Sequence, residues 1–72
     1  MNKLELLKEL KQRNVPTREY SLKGSYKEDA VCLLEEEGKF EVVYFERGQK
    51  NILSTHKSES SACEAFFKEM LS

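Results

Sequence analysis

Few of the 72 residues carry side chains that could do chemistry, and their spacing limits what that chemistry can be. His56 is the only histidine, and no cysteine or carboxylate stands beside it at metal-ligand spacing. Ser58, Ser60 and Ser61 follow it. A serine becomes a nucleophile when a base takes its proton, and the sequence pairs none of these with a base. They read as the opening of a helix. Cys32 and Cys63 form no Cys-x-x-Cys pair, so they read as reduced, buried, small apolar residues, with a disulfide as the alternative. Glu35, Glu36 and Glu37 could attract a cation weakly, but the run lacks the ligand pattern of a calcium loop. The three glycines are isolated and make no phosphate-binding loop. The expectation is a protein with no catalytic residue, no metal site and no cofactor.

The totals bound the fold. Seventy-two residues make one domain, residues 1–72, with one thin core and little material for a deep pocket behind it. Four Phe and three Tyr supply enough bulk for that core despite a charged fraction of 35%. No apolar run approaches the length of a membrane span. The opening MNKLELLKELK mixes charges into its apolar pattern and has no small-residue cleavage site, so a cytoplasmic location is expected. The net charge of −1 divides unevenly: +4 over residues 1–27, −6 over residues 28–46 and +1 over residues 47–72. An acidic middle favours a basic protein partner over nucleic acid or an anionic membrane.

Leu4, Leu7 and Leu10 recur at helical spacing, with Leu6 beside them. Asn2 can cap that helix, Asn14 can end it and Pro16 prevents its continuation, which places it at about residues 2–14. Residues 15–28 read as a long loop with Tyr20 and Leu22 tucked against the core. Ala30–Leu34, Lys39–Glu46 and Asn51–Thr55 read as three strands joined by short turns. A second helix starts near Ser58 and carries Ala62, Cys63, Phe66, Phe67 and Met70 as its apolar stripe. The predicted fold is α+β, in the order α-β-β-β-α: a three-stranded antiparallel meander with two helices packed on one face.

Hairpin register decides which residues share a face. A two-residue turn on Glu37-Gly38 requires positive φ at Glu37, whereas a three-residue loop requires it only at Gly38. That argument sets Glu35 opposite Lys39. Ala30, Cys32, Leu34, Phe40, Val42 and Tyr44 then lie under the helices. Val31, Leu33, Val43 and Phe45 form an exposed apolar patch rimmed by Glu41 and Arg47, of the kind that marks interaction sites. Folding of the 15–28 segment over that patch is the alternative. The candidate partner-binding residues are Glu35, Glu36, Glu37, Glu41, Val43, Phe45 and Arg47.

Three stretches carry a resemblance: "YSLKG" at 20–24, "GKFEVVYFERG" at 38–48 and "SESSACEAFFKEML" at 58–71. Together they resemble a family of small bacterial immunity proteins of polymorphic toxin systems. Tyr20, Gly24, Phe40, Tyr44, Glu46, Arg47, Gly48, Ala62, Cys63 and Phe66 fall on its pattern, with Phe40 standing where the pattern has Trp and Val43 where it has Tyr. The resemblance implies a non-enzymatic protein that binds a toxin domain and blocks it. Two other readings stay open. The element order is also that of the double-stranded-RNA-binding domain, although the stretch His56–Ser61 has one Lys where that module needs a lysine cluster. The open sheet face could also pair with a second copy, giving a weak homodimer rather than a monomer.

Overall fold

The computed structural model describes residues 1–72. Helix α1 spans Lys3–Gln12. Asn2 Oδ1 accepts from the Glu5 amide at 2.8 Å, and Glu5 Oε1 accepts from the Asn2 amide at 3.1 Å. This reciprocal box satisfies donors that the first helical turn leaves unpaired. Asn14 takes a φ of 59° just past the helix, the left-handed conformation expected of it. A turn of 3₁₀ helix (Thr17–Glu19) leads into β1 (Tyr20–Ser21), followed by β2 (Ala30–Glu36), β3 (Lys39–Glu46), β4 (Gln49–His56) and helix α2 (Glu59–Leu71). Ser58 caps α2, its Oγ accepting from the Ser61 amide at 3.2 Å. No helix is long and apolar enough to cross a membrane.

The sheet has four strands in the order β1-β2-β3-β4, with β1 parallel to β2 and the other pairs antiparallel. The expected three-stranded meander is therefore three-quarters of a mixed sheet. Two residues are too few to show a strand period, and β1 exists because Tyr20 and Ser21 lie alongside Val31 and Cys32. A parallel neighbour cannot be reached by a tight turn. Residues 22–29 must carry the chain back to the start of β2, and they cross the face of the sheet that has no helices.

The register differs from the expected one by one residue. Glu36 stands opposite Lys39, and Glu35 opposite Phe40. The turn is the two-residue form, with φ of 50° at Glu37 and 78° at Gly38. Arg47-Gly48 repeats it between β3 and β4, with φ of 52° and 76°. Left-handed backbone costs a non-glycine residue about 1–2 kcal/mol. The twist of this turn matches the twist of the strands it joins, whereas other short turns splay them. Packing points the same way: the observed register turns Val31, Leu33, Phe40, Val42 and Tyr44 toward the helices. The bulkier residues thus meet the element that can cover them.

Two clusters follow. Leu6 and Leu10 of α1, Tyr20 of β1, Val31 and Leu33 of β2, Val42 of β3 and Ala62, Cys63 and Phe66 of α2 form one core. Both helices thus lie on one face of the sheet, as expected. On the other face Ala30, Cys32, Leu34 and Val43 form a smaller cluster with Phe45 against it. The two cysteines are free, fully buried and on opposite sides of the sheet, so no disulfide joins them. The Lys3 amide donates to Glu59 Oε2 at 3.2 Å, and the Arg13 guanidinium lies 5.1 Å over the Phe67 ring. The helices therefore run the same way, with their N-termini together.

Candidate functional site

The acidic middle of the sequence splits between the two ends of the β2–β3 hairpin. Glu35, Glu36 and Glu37 are exposed at its tip. Glu28, Asp29 and Glu46 gather at its base around Tyr44, whose phenol pKa is raised by burial and then by Glu46, Asp29 and Glu28. Glu28 is also a structural ligand: its carboxylate accepts from the Gly48 amide at 3.1 Å and ties the loop to the second hairpin turn.

The face without helices is partly covered, so the patch expected there is smaller and differently composed. Val31 and Leu33 belong to the helix-side core. Val43 is fully buried and cannot touch a partner. Glu41, Val43 and Phe45 do share this face of β3. Glu41 is held by Lys50, with Oε1 2.8 Å from Nζ, and this pairing raises the pKa of the Lys50 ammonium. By register Glu41 lies opposite Thr55 and Lys50 opposite Phe45, so the ion pair stretches along the sheet past Val43. The 22–29 loop closes the other end. Cys32 Sγ lies 3.7 Å from the Lys27 carbonyl, and the Tyr26 ring stacks on Phe45 at 4.8 Å between centroids.

What stays open on this face is Tyr26, 55% exposed, and Ile52, 53% exposed, flanking the half-buried Phe45. Leu53, also exposed, is the extra residue of a bulge that shifts the β3–β4 register after Val42. Of the predicted residues, Glu35, Glu36 and Glu37 stand together at the tip, and Phe45 contributes to the apolar strip. Arg47 is exposed in the far turn, away from the tip.

His56 has a partner that the sequence did not suggest. Its Nδ1 lies 2.7 Å from Ser61 Oγ and its Nε2 lies 2.8 Å from Ser54 Oγ. A serine–histidine contact is the start of a nucleophile, which also needs a recess to hold substrate. Neither of the two main recesses of the molecule includes His56, Ser54 or Ser61. The contacts join the end of β4 to the first turn of α2 and fix how the helix leaves the sheet.

Sequence reasoning missed one arrangement altogether. Lys3 and Lys11 of α1 and Lys23 and Lys27 of the following loops line one concave trough of about 910 Å³, whose lining contains no Asp or Glu. The signal was the +4 surplus of residues 1–27. Comparison with protein families, with curated proteins and with solved structures finds no match to this chain.

Proposed function

We propose that this domain is a non-enzymatic protein-binding module, and more specifically an immunity protein that blocks a cognate toxin domain by covering it, in the cytoplasm. The observation that carries the reading is the apolar strip of Tyr26, Phe45 and Ile52 on a sheet face that neither helix covers, with the exposed triple-glutamate turn at the opposite end of the same hairpin. A large aromatic at the centre of a patch is the usual anchor of an interface, and a charged margin steers encounter and sets specificity. A basic domain is the complement of that margin. The toxin-neutralising role rests on the resemblance carried by residues 20–24, 38–48 and 58–71.

Tagged protein drawn through its own host's lysate tests the reading. The supporting result is recovery of a protein with a toxic domain whose activity falls at one-to-one stoichiometry with this chain. Phe45→Ala then weakens the complex by more than ~1 kcal/mol, and Glu36→Ala chiefly slows association. Equal and negligible effects of the two substitutions would remove this face from the interface. Recovery of RNA in place of protein would move the reading to the nucleic-acid class.

A further inference from the structure

The trough between α1 and the sheet edge is a second binding surface, which meets the face invoked above only at Tyr26 and is argued without that reading. Its charge is one-sided. None of Lys3, Lys11, Lys23 and Lys27 is ion-paired with a carboxylate; Lys27 Nζ donates to the Thr17 carbonyl at 2.7 Å and keeps further protons to donate. Its floor is aliphatic, with Leu4 and Leu7 on the helix side and Leu22 on the other. Leu4 is 63% exposed there.

Two more observations define what fits. Tyr20 lines the trough, and its hydroxyl is buried without a hydrogen-bond partner. A buried hydroxyl normally has one, so an acceptor brought from outside would complete it. β1, which also lines the trough, is the last strand at its end of the sheet, but it is two residues long and its Tyr20 amide already donates to the Thr17 carbonyl. An occupant therefore finds no run of free amides there and is held through its side chains.

We propose that the trough binds an extended acidic segment of a partner protein, held by its carboxylates on the four lysines. The spacing fits this occupant. Lys3 and Lys11 are eight positions apart on α1, or about 12 Å along its axis. Carboxylates at positions i and i+4 of an extended chain are about 13 Å apart and on one side of it. A small anion with one charged group reaches too few of the four lysines. A nucleic-acid strand would stack its bases on aromatic rings, and Tyr26 is the one exposed ring in the lining.

The test uses the full chain and a labelled octapeptide of alternating Glu and Val, followed by fluorescence anisotropy and by amide chemical shifts. Saturable binding is expected, with the largest shifts at Ser21 and Leu22. Lys11→Ser combined with Lys23→Ser weakens it about tenfold, and a Lys–Val octapeptide does not bind. Tyr20→Phe also weakens binding while leaving the melting temperature unchanged or higher, an opposition that a purely structural hydroxyl cannot produce. The proposal is overturned if the Glu–Val peptide fails to bind, or binds equally to the double lysine variant. It is also overturned if an octathymidylate displaces the peptide through the same lysines.

Discussion

Leu33 and Leu34 are neighbours in β2 and enter opposite sides of one sheet. Leu33 meets a core to which both helices contribute, with Leu6, Leu10 and Phe66 around it. Leu34 meets only Ala30, Cys32 and Val43, with Phe45 at the margin and a loop and an ion pair over the cluster. Leu33 is 1% exposed and Leu34 8%, so burial alone barely separates them. What separates them is the cover. A helix brings side chains that interdigitate and leave a hole when one is removed. A loop and a lysine stem close over small residues and can settle after a loss.

The sharpest test of that contrast is truncation on each side. Leu33→Ala should cost about 4 kcal/mol and Leu34→Ala about 2 kcal/mol, read from urea unfolding of the two variants. Equal losses would mean that the loop packs as rigidly as the helices. Thiol labelling of the native protein probes the same difference without mutation. Cys32 sits under the 22–29 loop, and Cys63 between helix and sheet. Local opening of the loop should let Cys32 react about tenfold faster, equivalent to about 1.4 kcal/mol of opening free energy. Burial and then the Glu59 carboxylate raise the Cys63 pKa. Its contribution to stability is therefore complete below the ordinary thiol range and declines as pH rises through that range, visible as a falling urea midpoint.

Smaller effects test the hinge between the faces. Glu37→Asn should stabilise the protein by about 1 kcal/mol, because Asn tolerates the left-handed backbone that Glu37 is forced into. A loss of stability instead would show that the turn is not what sets the register. The Glu41–Lys50 pair should show a small favourable coupling in a double-mutant cycle at low salt, and less as salt is added.

Local signals were legible where a single residue decides a local geometry. Asn2, Asn14 and Ser58 each stand at the helix end expected of them, and the apolar stripe of α2 is the stripe that is buried. The register was not legible, because the cost of positive φ at Glu37 can be read from the sequence and the opposing gain from strand twist and helix packing cannot. β1 escaped for a different reason. Its strand character lies in the partner residues Val31 and Cys32, ten and more positions away, and two residues show no period of their own. The trough follows from β1. Lys3 and Lys11 belong to a helix, Lys23 and Lys27 to a loop, and only the parallel pairing brings that loop back beside that helix.

The meeting of the two helix starts has a consequence for how the chain reaches this structure. The contact between Lys3 and Glu59 closes a separation of 56 residues, while both β-hairpins close over two. Hairpins form in about 1–10 μs, and contacts this distant must wait for the entropy of a long closed loop to be offset by burial. The β2–β3–β4 meander can therefore pair before the two helix starts meet, and the α1–α2 contact is the closure with the most loop entropy to offset.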